Sequence, residues 1–150
     1  MIYSENQIQN YFKSVETELF KKDRIRINFK RNWAIKFDNE QGVYALFDNG
    51  NICYVGETGN LKKRMMDLRR TLNHSFRRVL GEKLYSNRMD YFKATSNKKF
   101  SSEIEKFLNA YMEENIEVVM IPLKLGRLEF EEYMIALKKY ELLNIKEKRK

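Results

Sequence analysis

Three observations predict a small α/β or α+β domain. Segments with strand alternation and segments with helical spacing are interspersed, without a regular βα repeat. The 150 residues are 43% hydrophobic and 13% aromatic, enough for one core without covalent staples. At the centre, Gly42-Val43-Tyr44-Ala45-Leu46-Phe47, a turn at Asp48-Asn49-Gly50-Asn51, and Ile52-Cys53-Tyr54-Val55-Gly56 read as a β-hairpin with a tyrosine on each arm. No repeat, low-complexity run or linker divides the chain, so one domain is expected. Residues 1–41 form a helix and a basic arm, 42–144 a central module, and 145–150 a basic tail.

From the N-terminus, Ile8, Tyr11, Phe12, Val15, Leu19 and Phe20 recur at three- and four-residue intervals, which predicts an amphipathic helix over 6–20 docked on the domain. A basic segment follows, in which Lys21, Lys22, Arg24, Arg26, Lys30, Arg31 and Lys36 are interleaved with Ile25, Ile27, Phe29, Trp33 and Ile35. Its alternation suits a strand or extended arm with one polar face. That face is either a solvated edge or a phosphate-contacting arm.

The hairpin admits two registers. A two-residue Asn49-Gly50 loop pairs Phe47 with Ile52 and sets Tyr44 and Tyr54 on opposite faces. A three-residue Asp48-Asn49-Gly50 loop, with Gly50 left-handed, puts Tyr44 directly across from Tyr54, as a shared site would require.

Asn60 is a suitable N-cap for a helix starting at Leu61, with Leu61, Met65, Leu68 and Leu72 as its buried stripe and Arg64 at the stripe's edge. Its outer face carries Lys62, Lys63, Arg69 and Arg70. A second helical piece from about His74 to Tyr85 adds Arg77 and Arg78, and His74, the single histidine, is expected on the surface by default. Asp90 to Ala94 is read as a possible strand before a polar loop. Ser102 and Glu105 have capping-box spacing for a helix bearing Ile104, Phe107, Leu108, Tyr111 and Met112. Ile116 to Ile121 is β-branched and apolar, a strand ended by Pro122. The last helix is expected from Arg127 to about Tyr140. Glu132, four residues after Leu128 and three before Ile135, there joins an apolar stripe. Lys146, Lys148, Arg149 and Lys150 form the tail.

Twenty-nine Lys and Arg against 21 Asp and Glu give a net charge of +8, a surface that attracts polyanions. Nucleic acid is the first candidate partner and an anionic membrane the second. No apolar run approaches the ~20 residues of a membrane span. Met1 to Gln7 lack the basic lead and apolar core of a signal peptide. One cysteine, Cys53, cannot form an intramolecular disulfide, which fits a reducing cytoplasm. Its context is that of a packed small hydrophobe.

Gly42-Val43-Tyr44 followed by Tyr54-Val55-Gly56 resembles the two-part signature of the GIY-YIG nuclease family. Arg64 stands ten residues after Tyr54, behind Asn60-Leu61. Glu132 is followed by Tyr133-Met134-Ile135-Ala136, and Asn144 lies twelve residues beyond Glu132, where the family places an asparagine. The resemblance covers about 42–144. It implies a three-stranded antiparallel sheet flanked by helices and single-metal hydrolysis of phosphodiester bonds in DNA.

The implied catalytic residues are Tyr44, Tyr54, Arg64, Glu132 and Asn144, with His74 as an additional candidate. Glu132 would hold Mg²⁺ or Mn²⁺, since a cation that keeps most of its waters needs few protein oxygens. Arg64 would offer a planar, permanently charged fork to the phosphate. Tyr44 would activate water, given nearby positive charge to lower its pKa from about 10, and Tyr54 would orient the water or the phosphate. Lys62, Lys63, Arg69, Arg70, Arg77, Arg78, Arg24, Arg26, Lys30 and Arg31 are the candidate nucleic-acid contacts. Two departures from the family pattern leave the general base open. Leu68 occupies the position four residues after the arginine where many members carry His or Tyr, and Glu57 follows Tyr-Val-Gly. A compact nuclease of this kind resembles the restriction or structure-specific branches.

Overall fold

Four strands form one antiparallel sheet: β1 (Ile25–Arg26), β2 (Gly42–Asp48), β3 (Asn51–Thr58) and β4 (Ile116–Pro122), in spatial order β1-β4-β2-β3. The computed structural model describes residues 2–144, so the basic tail lies outside the described residues. The fourth strand corrects the three-stranded expectation. It comes from the basic arm, where Ile25 pairs with Val118, Arg26 pairs with Glu117, and the Ile27 N–H donates to the Ile116 carbonyl at 3.2 Å. Pairing there satisfies backbone groups that the outer side of β4 would otherwise leave to solvent.

Both faces of the sheet are covered, which explains why β2 is apolar throughout rather than alternating. On one face Tyr44, Leu46, Tyr54, Val118 and Met120 meet α2 (Leu61–Asp67), α3 (Ser75–Tyr85) and α4 (Ser102–Asn115). On the other, Val43, Ala45, Phe47, Val55 and Val119 meet α1 (Glu5–Lys21) and α5 (Arg127–Ala136). The N-terminal helix docks through Phe12, Val15 and Leu19, while Ile8 and Phe20 remain partly exposed. No described helix is long and apolar enough to cross a membrane.

Several local expectations shift. The helix α2 ends at Asp67, and Leu72 lies in the linker to α3 with its side chain partly exposed. Ser101 rather than Ser102 caps α4, accepting from the Ile104 N–H, so Glu105 is released from a capping box. Asp90 to Ala94 is irregular, with one isolated bridge nearby between Thr95 and Lys98. α5 stops at Ala136, ahead of Lys138 at φ 52°.

Candidate active site

The hairpin turn is the two-residue form. Asp48 pairs with Asn51 and Phe47 with Ile52, and Asn49 (φ 49°) and Gly50 (φ 87°) take the two positive φ angles of a type I′ turn. That register alone would put the two tyrosines on opposite faces. A β-bulge at Cys53, the extra residue that β3 carries across from Leu46 and Phe47, restores the parity: Leu46 pairs with Tyr54 and Tyr44 with Gly56. Gly50 is left-handed as the shared-site register required, but the bulge, not a three-residue loop, brings the phenols to one face. Their rings stack with centroids 6.2 Å apart. Gly56 makes this possible, because a Cβ there would overlap the Tyr44 ring.

Asn60 caps α2 by accepting from the Lys63 N–H, fixing the turn that carries Arg64. The Arg64 Nε–H donates to Tyr44 Oη at 3.3 Å. Its Nη1 donates to the Asn73 carbonyl at 2.9 Å and faces Asp67 at 3.3 Å.

The linker from α2 to α3 then supplies one contact after another. Thr71 and Leu72 accept from Arg78 through their carbonyls, Asn73 accepts from Arg64, His74 reaches Tyr44, and Ser75 Oγ reaches Tyr54 Oη at 3.1 Å. Beneath it, the Thr71 hydroxyl is held by Glu105 and by fully buried Arg77, whose guanidinium pairs with Glu105 at 2.8 Å.

His74 is buried, not on the surface, and it caps α3: its Nδ1 accepts from the Phe76 N–H at 3.1 Å. Nδ1 must therefore be unprotonated, which leaves the hydrogen on Nε2, 2.8 Å from Tyr44 Oη. Burial, then the charges of Arg64, Arg78 and Arg77, hold the His74 pKa well below its ordinary value. This imidazole is a neutral donor. Tyr44 Oη thus receives two hydrogen bonds, from Arg64 and His74, and keeps its own hydrogen for a third direction. The Tyr44 pKa is raised overall: burial is the main cause, the neighbouring Tyr54 and Glu131 add to it, and the lowering expected from positive charge is supplied by Arg64 but outweighed.

In α5 the buried residues are Phe130, Glu131 and Met134, so Glu131 is the inward glutamate, with a charge that acts on Tyr44, while Glu132 lies on the exposed side. Glu132, the glutamate chosen from the sequence, is thus one residue and ~100° of helix rotation away from the buried one. The stripe through Leu128 and Ile135 is not the buried one, since Leu128 is partly exposed.

Asn144 has a structural placement. Its Nδ2 donates to the Val55 carbonyl at 2.6 Å and its Oδ1 accepts from the Val55 N–H at 3.1 Å, while the Leu143 N–H donates to the Cys53 carbonyl at 2.7 Å. The side chain pairs with the outer edge of β3, as a neighbouring strand would, and steadies the strand bearing Tyr54.

The basic residues divide. Arg77 is buried and belongs to the interior, contrary to its expected place on the surface. Arg24 donates to the Gly50 carbonyl and lies over the Phe47 ring at 4.0 Å, so it fastens the hairpin turn. Arg26 donates to the carbonyls of Glu113 and Glu114 at the end of α4. Lys63, Arg70, Lys30 and Arg31 are exposed, and Lys62, Arg69 and Arg78 are half-buried. Glu57 forms an ion pair with Arg127 at 2.9 Å. Ser75, bonded to Tyr54, and Glu131, buried in α5, are not among the residues singled out from the sequence. Ser75 had no motif to mark it, whereas Glu131 was adjacent to the residue chosen.

No curated protein and no solved structure shows a significant match to the chain. The model of the GIY-YIG catalytic domain matches residues 25–150, starting at β1 and so taking in the arm that the resemblance had left outside. With most of its length covered by that nuclease domain, and the signature tyrosines stacked beside an arginine, the chain belongs to the GIY-YIG family.

Proposed function

We propose that this protein is a divalent-metal-dependent DNA endonuclease, of restriction or structure-specific type, that hydrolyses phosphodiester bonds at a site built from Tyr44, Tyr54, Arg64 and Glu131. The observation that carries the proposal is the double donation to Tyr44 Oη by Arg64 and by the fixed Nε2–H tautomer of His74. Two donors aimed at one phenol oxygen stabilise it as the negative charge of a phenolate, the form that takes a proton from water.

The donor set fits a hard cation. A buried carboxylate whose charge acts on Tyr44 and two phenolic oxygens supply oxygen donors, while both imidazole nitrogens are already engaged and Cys53 is buried in the core. Among the described residues no three His, Cys, Asp or Glu side chains gather, and a cation bound here would rest on Glu131 and keep most of its waters, as Mg²⁺ or Mn²⁺ does. Glu131 would hold the ion, which when bound would supply positive charge to polarise the scissile phosphate and to oppose the rise in the Tyr44 pKa that burial, Tyr54 and Glu131 cause.

The protein's own groups do the rest. Tyr44 would act as the phenolate, its own hydrogen first passing to solvent, and then take the proton of the attacking water. Arg64, held by Asn73 and Asp67 through Nη1, has no hydrogen bond from Nη2 among the described residues and directs that edge at the phosphate oxygens. Tyr54, bonded to Ser75, orients the water or the phosphate. His74 acts through Tyr44 and is a positioning residue, as is Asn144.

Nicking of supercoiled plasmid tests the proposal. Cleavage is expected with Mg²⁺ or Mn²⁺ and abolished by EDTA, and Tyr44→Phe should slow it by roughly 10²–10⁴-fold, the usual worth of a general base. DNA binding without cleavage in either metal would overturn it. Branched and flapped substrates run beside the plasmid separate the two types.

A further inference from the structure

We infer that Arg78 is a second phosphate-binding arginine, which takes the phosphodiester next to the scissile one, so that the substrate is a polynucleotide strand held at two adjacent phosphates. The inference rests on the nuclease reading above and extends its site.

Arg78 is placed by helix geometry. It lies four residues after His74 and three after Ser75 on α3, hence under the two residues that touch Tyr44 and Tyr54. Its Nη1 donates to the carbonyls of Thr71 and Leu72 at 2.8 and 3.3 Å, and the next carbonyl in the same linker, that of Asn73, holds Arg64. Three consecutive carbonyls therefore fasten two guanidiniums side by side, each by Nη1. The charge of Arg78 acts on Arg64, Tyr54 and His74, which places it at the edge of the same centre.

The two arginines differ in one respect. Arg64 has Asp67 as a counter-ion, whereas Arg78 makes no ion pair among the described residues, although it is half-buried. Like charges brought together on a rigid linker repel one another, and a partly desolvated guanidinium without a carboxylate loses hydration that nothing internal returns. An anion spanning both would restore the balance. A planar fork with one edge tethered and the other open suits phosphate oxygens. Arg77, the adjacent residue, provides the contrast: its guanidinium is consumed internally by Glu105, Thr71 and the Leu68 carbonyl.

The test measures binding and turnover on a fluorescent duplex oligonucleotide with wild type, Arg78→Gln and Arg78→Lys. Binding is followed in EDTA across a salt series and cleavage in Mg²⁺. Loss of one phosphate contact should flatten the slope of log K against log salt by about 0.9. In Arg78→Gln the KM should rise roughly tenfold or more, the worth of a charged hydrogen bond, with kcat changed only a few-fold. Arg78→Lys keeps the charge and should restore the slope. An unchanged slope in Arg78→Gln with a fall in kcat would show that Arg78 only fastens the linker, and would overturn the inference while leaving the nuclease intact. Wild type that neither binds nor cleaves the duplex would overturn both.

Discussion

His74 shows how much one side chain can decide. As the N-cap of α3 its Nδ1 must stay unprotonated, so the same helix start that it stabilises also fixes the hydrogen on the nitrogen facing Tyr44. The groups around it are the phenol of Tyr44 and the guanidiniums of Arg64, Arg77 and Arg78, and all three cations oppose its protonation. A folded-state pKa depressed in this way contributes stability that is complete above the unfolded value of about 6.5 and is lost as pH falls below it. In His74→Gln, whose amide can still donate to Tyr44, unfolding free energy measured between pH 7 and 5 should lose a slope of up to about 1.4 kcal/mol per pH unit. Equal slopes in the two proteins would contradict the buried neutral imidazole. In the sequence His74 carried no such message, because a linker has no periodicity to show which way a side chain points. Tyr44, Tyr54 and Arg64 were legible because their spacing matched a signature. Which of the adjacent glutamates turns inward was not legible, because the choice rests on a helix phase that the weakly amphipathic α5 marks poorly; the buried one is Glu131.

At the scale of elements, the hairpin was legible as a hairpin and its turn residues as Asn-Gly, but its register was not. The bulge at Cys53 has no residue signature in this sequence, and it alone decides whether the tyrosines share a face. The other condition is Gly56. In Gly56→Ala the new methyl group meets the Tyr44 ring, so a loss of about 1–3 kcal/mol is expected, as for other overpacked sites, together with loss of nicking. Calorimetry and the plasmid assay check both, and a variant with wild-type stability and activity would show that Tyr44 does not lie across this glycine. The outer edge of β3 depends on Asn144. Asn144→Ala leaves the buried Val55 N–H and C=O without their side-chain partners, at a cost of about 1–3 kcal/mol in denaturant unfolding. Because Asn144 acts through the strand, the midpoint of unfolding should move even in EDTA, where no turnover occurs.

For the whole molecule, the net charge of +8 pointed correctly to polyanions, and the family match gives nucleic acid as the substrate class. Net charge did not tell which cations face outward. Arg77 closes a buried network joining α3, α4 and the linker, Arg24 fastens the hairpin turn, and Arg26 caps the end of α4. Periodicity placed Arg77 on the outside because it cannot register the Glu105 partner that arrives from α4. Removing one member of a buried pair is costly, so Arg77→Ala should destabilise the fold by roughly 3 kcal/mol or more, read as a lower midpoint in urea. Arg70→Ala, at an exposed position, should leave that midpoint unchanged.

The most direct measurement compares plasmid nicking in Mg²⁺ by wild type, Glu131→Gln and Glu132→Gln at matched stability. Glu131→Gln should abolish nicking, and Glu132→Gln should keep it within a few-fold of wild type. The reverse pattern, or nicking by Glu131→Gln at the wild-type rate, would contradict the role given to Glu131.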